Sequence, residues 1–253
     1  MDKKTIARNF SRYAHTYDIY ADIQQKTGIE LLSGIKKDRF KNIMELGCGT
    51  GNYTLLLRKR FKKAEIKALD ISDKMIAVAR DKLRNKGIKF IVRDAEDLNI
   101  DEELDLITSN ACFQWFQDLE KALLRYKGQL KKDGIILFSV FGPLTFQELN
   151  FSLKSVLKGA ATVANGFIPA SDVKRALYKN FKDAEIEEIR YEESFDSIMG
   201  LLNKIKYTGE RGAGLGDKFS FSRRALEEIE RVYLNRFRRI KATYQVFFCR
   251  GRA

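Results

Sequence analysis

Residues 43–54 read Ile-Met-Glu-Leu-Gly-Cys-Gly-Thr-Gly-Asn-Tyr-Thr, and no other stretch constrains the fold as much. Ile43, Met44 and Leu46 predict a buried strand, and Tyr53 to Arg60 predict a helix. Gly47, Gly49 and Gly51 stand between them. Glycines at such a junction allow a tight turn and a close approach of a ligand to the backbone. Asp70 closes the next apolar strand, Ile66 to Asp70, nineteen residues after Gly51. In open α/β sheets an acidic residue at about that distance binds a ribose.

The alternation continues on both sides of Asp70. Strands are predicted at 42–46, 65–70, 88–92, 104–108 and 134–140, with helices at 52–62, 73–86 and 118–131. Ser72 reads as a helix N-cap, Gly87 as a C-cap and Asp133-Gly134 as a turn. Strand–helix alternation of this kind implies an α/β fold, a parallel sheet with helices on both faces. Before it, residues 3–34 predict two amphipathic helices, one with Ile6, Phe10, Tyr13 and Tyr17, the other with Ile23, Thr27, Leu31 and Ile35. After it, helices are expected at 145–158, 170–180 (Ser171 as cap), 197–207 and 222–240, and strands at 183–193 and 243–249. The strands then number seven. One domain is expected over 1–253: N-terminal lid helices to residue 40, a core from 41 to 141, and substrate-side helices with the last two strands from 142.

Composition narrows the function classes. No stretch is Gly/Ser-rich, and two prolines in 253 residues give no linker. The start, MDKKTIARNF, has no apolar segment of a secretory signal, and no run suits a membrane span. Three cysteines without a CxxC and one histidine argue against a disulfide framework, a metal site or a histidine-based nucleophile. His15 itself reads as a surface helix residue. A cytoplasmic, monomeric protein is expected, with no stable nucleic-acid or membrane partner. The net charge of +13 nevertheless points to something anionic.

Glycine spacing discriminates among ligands. The dinucleotide fingerprint is G-x-G-x-x-G. This chain has G-x-G-x-G, with Glu45 two residues ahead of it, and a pyrophosphate would be repelled by that carboxylate. The pattern E-x-G-x-G-x-G resembles motif I of the class I S-adenosylmethionine (SAM) methyltransferases, whose ligand carries an ammonium and a sulfonium. The resemblance implies their Rossmann-like fold: a seven-stranded, mostly parallel sheet with one antiparallel partner at the end. The helices at 145–158 and 197–207 then lie above its carboxyl edge.

The same resemblance implies roles. Gly47, Gly49 and Gly51 would admit the methionine part of SAM, beside Glu45. Asp70 would accept hydrogen bonds from the ribose hydroxyls. Ile71 and Met75 would sandwich the adenine, and Asp94, with Ala95 at the third strand end, would accept from its amino group. Asn110 and Trp115, the one tryptophan, follow the fourth strand at the mouth of the cleft.

Ser109-Asn110-x-x-x-Gln114-Trp115 resembles a motif of the malonyl-acyl-carrier-protein O-methyltransferases of biotin synthesis and of the aconitate methyltransferases. The block Lys4-x-Ile6-Ala7-x-x-Phe10-x-x-Tyr13-Ala14-x-x-Tyr17-Asp18-x-x-Ala21-x-Ile23-Gln24 resembles the former. Phe167-Ile168-Pro169, Leu201 to Gly209 and Thr243 to Phe247 extend the similarity over nearly the whole chain. Residues 207–216 depart from it by carrying more glycine. The implied reaction is methyl transfer from SAM to the free carboxylate of malonyl-acyl carrier protein. Tyr17 and Gln24 would close over SAM, while Tyr17, Trp115 and Lys206 would position the malonyl group, Lys206 meeting its carboxylate. The carrier is acidic, and Arg224, Arg231 and Arg238 recur every seven residues on one predicted helix face. The alternatives are a methyltransferase of a small carboxylate or quinone, a tRNA methyltransferase, and a non-catalytic SAM-binding protein.

Overall fold

Near-continuous apolar runs such as Ile43 to Leu46 are what a strand covered on both faces requires, and they form the centre of one seven-stranded sheet. The structure is a computed structural model and describes residues 2–36, 39–99, 103–209 and 221–253. The elements run α1 (Lys3–Tyr13), α2 (Tyr17–Tyr20), α3 (Asp22–Ser33), β1 (Asn42–Leu46), α4 (Asn52–Arg60), β2 (Glu65–Asp70), α5 (Asp73–Lys82), β3 (Ile88–Val92), β4 (Leu104–Asn110), α6 (Leu119–Lys127) and β5 (Leu130–Phe141). Then come α7 (Gln147–Val156), α8 (Ala170–Asn180), β6 (Lys182–Phe195), α9 (Ile198–Tyr207), α10 (Arg223–Phe237) and β7 (Ile240–Arg252). The sheet order is β3-β2-β1-β4-β5-β7-β6. Pairing is parallel through β5, and β7 runs antiparallel to both β5 and β6.

Side-chain alternation sorts the core onto two faces. Ile43, Ile135 and Leu137 point to the layer holding Leu31, Tyr53 and Leu57. Met44, Ile136 and Phe138 point the other way, to Leu123, Tyr126, Val173 and Leu177. Each fully buried Leu or Ile contributes about 1.5–3 kcal/mol relative to exposure. A third cluster joins Ile23 of α3 to α7, α9, α10 and β7 beyond the carboxyl edge of the sheet.

Several local expectations are corrected. Asp133-Gly134 is not a turn before a strand; it is a bulge inside β5. The β4 pairing steps from Leu104↔Leu130 to Leu106↔Ile135, and Asp133 takes φ +62° there. Helix α6 therefore stops at Lys127, with Gly128 as its cap. Helix α5 ends at Lys82, capped by Leu83, so Gly87 serves the turn into β3. The N-terminal segment forms three helices rather than two, because the chain turns at 14–16 and His15 lies exposed in that turn. Ser171 lies inside α8, whose N-cap is Pro169. Helix α10 stops at Phe237, where Arg238 turns left-handed at φ +67°. Ser72 does cap α5, accepting the Met75 N–H. The glycine-rich departure falls outside the described residues from 210 onward.

Candidate functional site

The carboxyl ends of β1, β2 and β4 open into two adjoining clefts, roofed by the N-terminal helices. The larger, about 640 Å³, is lined by Lys3, Ile6 and Phe10 of α1, by Tyr17, and by Gly47, Gly49, Asp70, Ile71, Met75, Asp94, Ala95, Asn110 and Trp115 among others. The smaller, about 370 Å³, is lined by Tyr17, Gln24, Glu45, Gly47, Gly49, Thr50 and Asn110 among others. Tyr17, Gly47, Gly49 and Asn110 line both, so the clefts meet there.

The glycine loop is tied to the second strand. Asp70 accepts the backbone N–H of Gly49 at 2.9 Å on Oδ2 and that of Ser72 at 2.8 Å on Oδ1. Burial raises its carboxyl above the ordinary range, and those N–H groups pull it back in part. The three glycines do different things. Gly49 (φ +54°) faces open space, so an added Cβ would meet no atom within 4 Å. Gly47 (φ +71°) backs onto Cys112, where a Cβ would lie 2.5 Å from the sulfur. Gly51 (φ +85°) lines neither cleft; it caps α4, and a Cβ there would crowd Leu83 and Ala79 of the α5 segment at 2.9 and 3.2 Å. Close packing against α5 is thus a structural reason for glycine at 51.

Glu45 is 1% exposed, and its Oε2 makes no hydrogen bond among the described residues. Burial pushes its carboxyl up to about 8, with the Thr54 hydroxyl pulling it down and the charge of Asp70 adding to the rise. A buried carboxylate oxygen left without a donor is costly. It is the acceptor that the ammonium of a methionine group would use, and the bare backbone at Gly49 leaves that space open. The residues therefore fit SAM.

Asn110 joins the sheet to the lid. Its amide donates to Gln24 O at 2.8 Å, and its Oδ1 accepts from Thr27 at 2.9 Å and Ser139 at 2.7 Å. At the far end Lys3 is paired with Glu96 at 2.6 Å and Asp94 at 3.5 Å. Its ammonium also stands 5.0 Å over the Phe116 ring. Trp115 meets Phe10 edge-on, with centroids 5.7 Å apart, and Phe167 at 5.4 Å. Cys112 lines the larger cleft, but burial pushes its thiol up to about 12, so it stays protonated.

The description "Methyltransferase domain" belongs to the family model that matches residues 44–138. A malonyl-acyl carrier protein O-methyltransferase of Ilyobacter polytropus is 36% identical over 94% of this chain and 88% of its own length. Another, from Acetivibrio thermocellus, is 33% identical over 100% of this chain and 94% of its own. The chain belongs to the malonyl-acyl carrier protein O-methyltransferase family. Its fold is that of the class I SAM methyltransferases. Among solved structures, YcgJ from Bacillus subtilis aligns with a TM-score of 0.58 at 16% identity, over 89% of this chain and 97% of that one. Phosphoethanolamine N-methyltransferase 2 of Haemonchus contortus, solved with SAM, aligns at 0.59 and 17%, over 95% and 57%.

In this family member Lys206 lines neither cleft. It is half-buried on α9, its ammonium 5.0 Å from the ring centre of Tyr207. The charged group on α9 that meets the lid is its neighbour Lys204, 5% exposed and paired with Asp22 at 2.8 Å and Glu193 at 2.5 Å. Neither Lys204 nor Lys3 stood out in the sequence, because an isolated lysine has no periodic signature. Of the three arginines expected on one helix face, Arg224 and Arg231 lie on α10, Arg224 exposed and Arg231 taken by Glu228 at 2.6 Å; Arg238 is exposed but lies past the helix end with left-handed backbone, so the three do not continue one helical face. That helix packs on α7.

Proposed function

We infer that this chain methylates the free carboxylate of malonyl-acyl carrier protein, with SAM as methyl donor. The observation that carries the substrate is full-length similarity to enzymes of that name. The buried carboxyl of Glu45, which lines the smaller cleft with the open backbone of Gly49, supports the donor.

When bound, SAM supplies an electrophilic methyl group on a sulfonium. Glu45 would hold its ammonium and Asp70 its ribose hydroxyls. Asp94 and Ala95, with Ile71 and Met75, would hold the adenine. A malonyl carboxylate is already ionised at pH 7, so the chain need not remove a proton from it. Its task is alignment and exclusion of water. Tyr17 and Trp115, roofing the junction and the larger cleft, supply aromatic walls for that.

The decisive assay is transfer of a labelled methyl from SAM to malonyl-carrier protein, run beside a small malonyl thioester, aconitate and bulk tRNA. A base-labile methyl ester on the malonyl group is expected. Label on tRNA or aconitate alone overturns the assignment.

A further inference from the structure

We propose that Asp18 is a positioning residue, a latch that holds Tyr17 at the junction of the two clefts by tying the lid to the glycine loop. The catalytic part of this inference rests on the methyl-transfer reading above; the latch itself does not.

Helix α2 is a single four-residue turn with no side-chain N-cap bond. A helix so short has almost no stability of its own, so its place must be set from outside. Asp18, its second residue, does this from both oxygens. Oδ1 accepts from Thr50 Oγ1 at 2.5 Å and from Asn52 Nδ2 at 2.9 Å. Oδ2 accepts from Lys82 Nζ at 2.5 Å, and the same ammonium donates to Asn52 Oδ1 at 2.7 Å. Three segments distant in sequence thus converge on one carboxylate: the lid, the glycine loop entering α4, and the end of α5. Thr50 is 1% exposed, so its hydroxyl would lose this partner if the lid moved away. The lid is thus anchored on the loop, whose own shape is held separately by Asp70.

The residue before Asp18 is Tyr17, which lines both clefts. Its ring meets Phe10 edge-on with centroids 6.4 Å apart, and Phe10 meets Trp115. The chain from latch to tryptophan is continuous, and Trp115 is the one tryptophan in the sequence. Its emission consequently reports lid position without any bound ligand.

The test compares Asp18→Ala, Asp18→Asn and Lys82→Met with the parent. The asparagine keeps an acceptor for Thr50 and loses the ion pair. In the ligand-free protein Asp18→Ala is expected to red-shift Trp115 emission. It should also speed amide exchange in residues 3–20 about tenfold or more, while exchange in β1, β2 and β4 and the thermal midpoint stay near the parent's. With a small malonyl thioester, kcat should drop about 100-fold, the scale of a 1 Å misplacement, while Kd for SAM changes far less. Asp18→Asn should recover most of the loss, and Lys82→Met should resemble Asp18→Asn. Unchanged emission and exchange in Asp18→Ala overturn the latch. So does acceleration spread evenly over the sheet with a lower midpoint, which marks a merely structural residue. If the parent methylates no malonyl substrate, the functional reading fails, and the emission and exchange arms still decide the latch.

Discussion

Gly49 donates its backbone N–H to Oδ2 of Asp70 across 2.9 Å, so the residue expected to hold the ribose also shapes the glycine loop that lines both clefts. Asp70→Ala should therefore cost more than a pair of ligand bonds. A loss of about 2–4 kcal/mol in SAM binding is expected by calorimetry. Asp70→Asn should be nearly as poor, because an amide nitrogen at Oδ2 cannot accept from Gly49. Wild-type affinity in either variant refutes this placement.

Glu45 gives a pH signature. Its carboxyl is raised from 4.5 to about 8 in the ligand-free fold. Between those values the folded chain holds a proton that the unfolded chain has lost. Stability from this group is therefore present at low pH and falls as pH rises, by up to about 1.4 kcal/mol per unit. Glu45→Gln removes that slope. Denaturation curves from pH 5.5 to 8.5 should show the parent losing stability relative to the variant as pH increases. SAM affinity should show the opposite trend in the parent, strengthening toward pH 8 as the carboxylate forms, and stay flat in the variant.

Lys204 predicts an asymmetric pair of stability effects. Removing its charge by Lys204→Met takes the ammonium from Glu193, which is 24% exposed and keeps the Tyr244 hydroxyl at 3.1 Å, and should cost about 1–3 kcal/mol. Asp22 is largely exposed, so Asp22→Asn should stay within about 1 kcal/mol. Urea midpoints measure both, and equal losses would contradict this ranking.

The carrier protein should dock electrostatically. Glu228 already neutralises Arg231, so Arg224→Glu with Arg238→Glu should raise KM for malonyl-carrier protein nearly as much as the triple reversal. Turnover of a small malonyl thioester should not change. The ratio of kcat/KM for the two substrates is the measurement, and an unmoved ratio removes α10 as the docking face.

The sheet was legible because burial on both faces writes itself into the chain as apolar runs separated by glycine and by caps such as Ser72. Asp70, Met75 and Asp94 were legible because they follow strand ends. Where local chemistry imitates another structure, the reading slips. Asp133-Gly134 has turn composition, yet it is absorbed as a bulge, because β5 must pair on both sides with β4 and β7. Asp18, Lys3 and Lys204 were opaque for a different reason. Each has a partner more than thirty residues away, and no spacing in the sequence marks a contact of that kind.

The glycine loop also decides what an alanine scan can reveal. At residue 51 an alanine would probe the fit of α4 against α5. At residue 47 it would meet both the β-carbon and the sulfur of Cys112 at 2.5 Å and strain a backbone at φ +71°, so damage there says nothing about a ligand. Of the three, only residue 49 looks into open space, so an added methyl there would enter the cleft, on a backbone strained at φ +54°. Three glycines that look alike in a motif are thus three separate experiments. The space at 47 is closed by the residue at 112, sixty-five positions further along the chain.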